Sequence, residues 1–425
     1  MTSPDRIEPG APPEPAGEPR KYGRAMHLVR QFGWIGGGRI AAAAVQAAVL
    51  VIAARTTDEP TIALIAAAAG LLVFAQAVAD LGISTLVLRE RAAGADPGFI
   101  RACLRGIDVT SSALGVAVAI AAAAWILVAG AHQWWLVVLV LGAAAEKNAE
   151  GRMGLAVADG EAHASARVLV IRRVAILVAV ALLVLVGMDG AWAYALGTLA
   201  GNMLGAALAR RDSVRRAAGE TTLEAAPRLP EIARHARPYY ANSVSTQFRN
   251  LDALIVTTLG GPVPGAAYGL TSRLMTPLRI LPTSLAQALL PSVAKGNHRS
   301  TRRFLSLVGL VVVGSAVVFG IGAATAALWV PWLFGQQYTT AVVPVQIALL
   351  GLPLAAAASL LAAALQGRGH PRATAWGALI GSTSCLVFVA IGVLAWEAPG
   401  ASAGLTLSFA LQAAFLLAAT LRTKE

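Results

Sequence analysis

Between residues 34 and 421 the chain is a succession of apolar stretches, each close to the roughly 20 residues an α-helix needs to cross the hydrocarbon core of a bilayer. In lipid every backbone N–H and C=O must find its partner inside the segment, and an α-helix achieves that alone. Read with this ruler, the sequence predicts twelve helices, over about 34–54, 61–87, 106–129, 134–157, 166–187, 190–209, 237–259, 264–290, 304–328, 340–365, 373–396 and 400–421. The expected fold class is an all-α polytopic membrane protein. Composition supports this: 13% of the residues are charged and the mean hydropathy is +0.66, whereas soluble domains carry about a quarter charged residues.

The formal charge of +12 would suggest nucleic-acid binding in a soluble protein, but the positions of the charges argue otherwise. Of 34 Lys and Arg, 25 fall in the tails and in alternate connections, counting Arg167 and Arg237 at their edges. The intervening connections hold only Arg55, and eight basic residues lie inside the spans. Positive charge is retained on the cytoplasmic side, so both termini are expected in the cytoplasm, of a bacterial plasma (inner) membrane given the Ala/Gly/Arg-rich composition. Residues 1–33 read as a cytoplasmic tail and juxtamembrane segment. Its first twenty residues are Pro-rich and lack the apolar core of a signal peptide, and Lys21 to Phe32 suits either a short helix on an anionic membrane face or a plain anchor. A basic linker, 210–236, separates helices 1–6 (34–209, the N-lobe) from helices 7–12 (237–425, the C-lobe). Six spans per half give both halves one orientation, a parallel repeat of the kind that binds substrate between its lobes. Gly197, Gly201 and Gly205, like Gly377 and Gly381, recur every four residues and predict close helix packing.

Charges inside the spans cost roughly 2.5–3.5 kcal/mol each on insertion scales unless they reach water. Arg39, Arg172 and Arg173 stand within about two turns of a predicted basic end, and for the last two snorkelling to the headgroups is the expectation. Lys147, Arg249 and Arg273 stand near mid-span and are expected to face an aqueous interior, a central cationic cavity. In helix 7, Asn242, Ser245, Arg249 and Asp252 fall on one face; in helix 8, Tyr268, Ser272, Thr276, Arg279, Thr283 and Gln287 share a stripe with Arg273 at its margin. Helix 4 carries Glu146, Lys147, Asn148, Glu150 and Arg152 in one run. The alternative is that Arg249 with Asp252, and Lys147 with Glu150, are i,i+3 ion pairs that merely neutralise one another.

Several chemistries are excluded by pattern. Cys103 and Cys385 make no disulfide framework or metal cluster, and the six histidines are scattered singly. The run Gly36-Gly37-Gly38 has no following Lys-Ser/Thr and lies inside a span, so it is neither a phosphate loop nor a dinucleotide fingerprint. No cofactor, metal or catalytic residue is expected, and the short external connections disfavour a membrane transferase.

Two stretches resemble the Wzx-type oligosaccharide flippases, the polysaccharide-export branch of the multidrug/oligosaccharidyl-lipid/polysaccharide exporter superfamily. One is Phe74 to Glu90 (FAQAVADLGISTLVLRE); the other runs from Arg249 through RNLDALIVTTLGG, GAAYGLTSRLMTPLRILPTSL and LLPSVAK, with Asp252, Gly260, Tyr268, Arg273 and Pro291 at pattern positions. The resemblance implies two pseudo-repeated six-helix lobes around a cationic cavity, alternating access, and a polyprenyl-diphosphate-linked oligosaccharide as substrate. Arg273 matches the family arginine of helix 8, and Arg39 corresponds to the basic residue of helix 1. The expected substrate-binding residues are thus Arg249, Arg273, Arg279, Lys147 and Arg39, with Asp252, Glu146 and Glu150 balancing charge or coupling transport to H+, Na+ or membrane potential. Asn242, Ser245, Tyr268, Ser272 and Thr276 are expected to line the cavity, and a polysaccharide polymerase or glycosyltransferase is a candidate partner. The alternatives are a cation-coupled multidrug exporter of the same superfamily, a polysaccharide-assembly scaffold, a membrane transferase, or a permease-like uptake protein.

Overall fold

The computed structural model describes residues 21–220, 226–279, 298–368 and 370–422, all helix and short connection. The helices are α1 (Lys21–Thr56), α2 (Glu59–Ala79), α3 (Ile83–Ala92), α4 (Pro97–Ala129), α5 (Trp135–Ala158), α6 (Ala162–Leu185), α7 (Gly190–Arg216), α8 (Leu229–Gln247), α9 (Asp252–Gly260), α10 (Pro262–Leu278), α11 (His298–Ala324), α12 (Ala326–Phe334), α13 (Val342–Gly367) and α14 (Pro371–Arg422). The Pro-rich start of the tail, the expected continuation of helix 8 to residue 290 with Thr283 and Gln287, and Pro291 lie outside the described residues, as does the side chain of Asn242.

Aspartates start several of these helices. Asp58, Asp96 and Asp189 accept from the backbone N–H groups of Thr61, Gly98 and Ala191 at 3.1, 2.6 and 3.0 Å, satisfying donors that a helix start leaves open. Pro60 and Pro97 follow within the first turn, where a missing N–H costs nothing.

Among the described residues the expected segments are helical, with physical refinements. Helix 2 is interrupted after Ala79: Leu81 and Gly82 both take positive φ, 50° and 79°, and the chain resumes as α3. Gly82 is needed there twice over, for its φ and because a Cβ would stand 2.7 Å from the Tyr240 nitrogen of α8. Helix 7 is broken into α8 and α9 by a 3-10 turn, Phe248–Leu251. Helix 9 continues past residue 324 and bends by 66° into α12. α14 doubles back at Trp396 and Glu397, whose φ/ψ leave the helical region; Gly377 then faces Leu416 and Gly381 faces Gln412, so its two limbs are antiparallel neighbours.

By length and apolar composition six helices among the described residues qualify as spans, and the bent α11–α12 pair makes a seventh. One of the six is the doubled α14. α5 fails through its charges, and α8 to α10 through their breaks and polar residues. The spans' outward faces carry large apolar residues, among them Leu127, Val128, Leu185, Leu310 and Val318, a surface made for lipid rather than water.

Within the first half, α6 and α7 are an antiparallel pair in which Gly197, Gly201 and Gly205 meet Val180, Ile176 and Arg172, as the four-residue spacing predicts. Between the halves, α2 packs along α8, α9 and α10. The expected sequence ends of the bundle are tied separately. At one end Arg55 donates to the carbonyls of Trp332 and Leu333, and Gln337 to those of Ala54 and Thr57. At the other, basic end, Arg89 contacts Tyr239, and Arg91 and Arg216 share Asp159.

Candidate functional site

A cavity of about 530 Å³ opens between the two groups of helices. α1 presents Arg39, Ala43, Gln46 and Leu50 to it, and α5 presents Leu139, Ala143, Glu146 and Glu150; each set repeats at three or four residues, the spacing of one helix face. α2 adds Ala66 and Gln76, α6 adds Arg173, α7 adds Tyr194 and Thr198, and the second half adds Gln247, Asn250, Arg273, Thr276 and Phe334.

Three guanidinium groups and two carboxylates share this lining. Glu146 accepts from Arg173 at 2.8 Å, and Arg173 also donates to Gln46 at 2.7 Å. Behind them Arg172, with no exposed side-chain surface, stands 3.2 Å from both Glu146 and Glu150. Arg273 crosses from α10 to donate to the Ala66 carbonyl of α2 at 3.0 Å, and among the described residues it makes no salt bridge to a carboxylate. Arg39 is exposed at the margin. Four cationic groups against two acids leave the region positive, and at the low effective dielectric of a protein interior such an excess attracts an anion.

The structure brings Arg39, Arg273, Glu146, Glu150 and Thr276 together on this cavity. It places the other expected residues elsewhere. Lys147 lies about 100° around α5 from Glu146 at 3.6 residues per turn, and pairs with Asp80 at 2.8 Å. Asp80 is 3% exposed and also accepts from Ser84, so this is a buried pair at the α2–α3 break. Arg279, six residues from Arg273, faces another side of α10. It and Arg249 set their guanidiniums 5.1 and 5.0 Å from the Phe409 ring centre, a cation–π arrangement among the helices of the second half. Tyr268 and Ser272 turn away from the cavity and donate to Asp252 at 2.9 and 3.3 Å. Ser245 is half-buried and does not line the cavity.

The i,i+3 pairs are not among the ion pairs of the described residues: Glu150 goes to Arg172 and Lys147 to Asp80, while Tyr268 and Ser272 take Asp252 and Arg249 lies over the Phe409 ring. Arg172 and Arg173, expected to snorkel, instead meet two carboxylates of α5. Arg173, Gln46, Gln76, Tyr194 and Asn250 are lining residues that sequence reasoning missed. A signal existed in the i,i+7 spacing of Arg39 with Gln46, and in an acid pair at i,i+4 on α5 whose charge two adjacent arginines would match.

No protein-family model matches the chain, and no curated protein matches it in sequence. Solved structures do match its shape. An inward-facing multidrug resistance MATE family transporter of the MOP superfamily aligns with a TM-score of 0.70 at 17% identity, covering 90% of this chain and 96% of that one. The lipid II flippase MurJ, in an inward closed conformation, gives 0.71 at 12% identity over 94% of this chain and 87% of that one. A MOP superfamily transporter from Pyrococcus furiosus, described as having a binding pocket of reverse polarity that suggests a different function, gives 0.61 at 16% identity over 92% and 95%. The chain has the fold of MOP-superfamily transporters, an all-helical, multi-pass membrane architecture.

Proposed function

We propose that this protein is a flippase that carries a polyprenyl-diphosphate-linked oligosaccharide from the cytoplasmic to the outer leaflet for cell-surface polysaccharide synthesis. The observation that carries the proposal is the convergence of Arg39, Arg173 and Arg273 on one cavity between the helix groups, with Arg172 behind them. Guanidinium is the side chain best matched to diphosphate oxygens, through paired, directional N–H donors. The lining surplus of charge suits a substrate that brings two or more negative charges, and the apolar outer faces leave its polyprenyl tail in lipid.

In this reading the charge bias of the connections places both termini in the cytoplasm, the two lobes, residues 34–209 and 237–425, rock about the linker 210–236, and the closed Arg55 end faces outward. Arg273, which spans from α10 to α2, is the group whose partner changes as the lobes separate. Glu146 and Glu150 hold the arginines, and remain the candidates for coupling to H+ or Na+. The same two carboxylates favour a second reading, export of cationic drugs, because they line the cavity directly.

Depletion of the protein in its native cell, with polyprenyl-diphosphate-linked sugars quantified by mass spectrometry, tests the choice. Accumulation of one complete lipid-linked species, uncorrected by an Arg273→Ala copy, is expected. Unchanged lipid-linked sugars together with new sensitivity to cationic drugs would move the function to drug export.

A further inference from the structure

Resting on the reading of the cavity as the substrate site, we propose that Arg172, a residue that does not touch the cavity, sets the sign of charge the cavity accepts. The lining holds Arg39, exposed at its margin, and Arg173 and Arg273 inside against Glu146 and Glu150, three charges against two. A surplus of one is small, and open carboxylates beside it would still offer a cation a site. Arg172 raises the surplus to two and engages both carboxylates. Its guanidinium lies 3.2 Å from an oxygen of each glutamate and donates to the Glu146 carbonyl at 3.4 Å, so both acids are occupied from behind.

The surroundings are built for this arginine. A Cβ on Gly205 would stand 2.6 Å from the Arg172 Cδ, and one on Gly201 would stand 3.0 Å from its carbonyl oxygen. The glycines of α7 that bring it against α6 also leave the channel in which this side chain runs. Packing alone does not call for a charge: an apolar chain of similar volume fills such a space without the desolvation cost of a guanidinium. The Arg172 Nε is buried with no hydrogen-bond partner, so the group is held here at some expense for its two carboxylate contacts. Arg172 is thus a positioning residue: it acts on the substrate through Glu146 and Glu150.

The test uses the purified full-length chain in nanodiscs with two probes, geranyl diphosphate and ethidium, titrated calorimetrically. Arg172→Gln is expected to weaken geranyl diphosphate at least tenfold and to strengthen ethidium, and Arg172→Gln with Glu150→Gln is expected to restore the parent preference. A merely structural role would not produce that restoration. Glu150→Gln alone, at a half-exposed side chain, is expected to tighten geranyl diphosphate several-fold, and it decides the matter if Arg172→Gln does not fold. Unchanged affinities for both probes in folded Arg172→Gln, or no tightening in Glu150→Gln, would overturn the assignment. Failure of the substrate reading looks different: the parent protein and Arg273→Ala would then bind geranyl diphosphate equally poorly, while ethidium binding gained by Arg172→Gln would still support the role of Arg172.

Discussion

In the first half of the molecule the intramembrane arginines Arg172 and Arg173 rest on carboxylates of α5, whereas in the second half Arg249 and Arg279 rest on the ring of Phe409. The difference follows from supply. From residue 237 to the end the chain has three acids, Asp252, Glu397 and Glu425, and the first is engaged by Tyr268 and Ser272. A ring quadrupole supports a guanidinium without cancelling its charge; a carboxylate cancels it and adds directional bonds. The carboxylate-held arginines line or back an open cavity, and the ring-held ones stand apart from it. The same residue type therefore stands in two different surroundings, and substitutions should separate them.

The largest effect on stability is expected from Lys147→Ala. It leaves Asp80, 3% exposed, as a buried uncompensated charge, which costs about 3–5 kcal/mol when one partner of such a pair is removed. Denaturant unfolding of the purified protein measures this, and a loss below about 1 kcal/mol would mean that water reaches Asp80. Next comes Gly205→Ala, which sets a methyl against the Arg172 stem and is expected to cost about 1–3 kcal/mol by overpacking. Thermal unfolding reads it, and the change should also weaken anion binding because the displaced side chain is Arg172. Phe409→Leu removes the ring from both guanidiniums at once and is expected to cost about 1–2 kcal/mol, with binding of a diphosphate probe unaltered; a binding defect would link the second-half cluster to the substrate path. The smallest effect belongs to Arg91→Ala, whose pair with Asp159 is partly exposed and is expected to be worth under about 1 kcal/mol, falling further at high salt.

Much of the architecture was legible because lipid allows few answers. Apolar runs of one length marked the spans, and Gly197, Gly201 and Gly205 announced the α6–α7 contact that a Cβ at each would break. The site was legible only in part. Depth in a span can be read from distance to its ends, which is why Arg273 was sought in the interior. The azimuth of a side chain depends on the neighbour it meets, and that neighbour is distant in sequence: Lys147 meets Asp80, and Arg273 meets Ala66. Arg172 and Arg173 were expected at the headgroups because their distance to the span end was short, while the carboxylates one helix away were not visible as partners. Asp252 and Arg249 likewise meet partners from elsewhere in the chain, Tyr268 and Phe409, in a stretch whose spacing reads as a local ion pair.

On the proposed function, the cavity between the helix groups, and not the cluster on Phe409, receives the diphosphate. The direct measurement is the affinity of the full-length chain in nanodiscs for geranyl diphosphate in three forms: parent, Arg273→Ala and Arg249→Ala. At least a tenfold loss is expected for Arg273→Ala and an affinity within about twofold of the parent for Arg249→Ala, a charge-assisted contact of about 1.5–3 kcal/mol being at stake in the first alone. Loss in Arg249→Ala with full binding in Arg273→Ala would contradict that reading and move the substrate site to the second half.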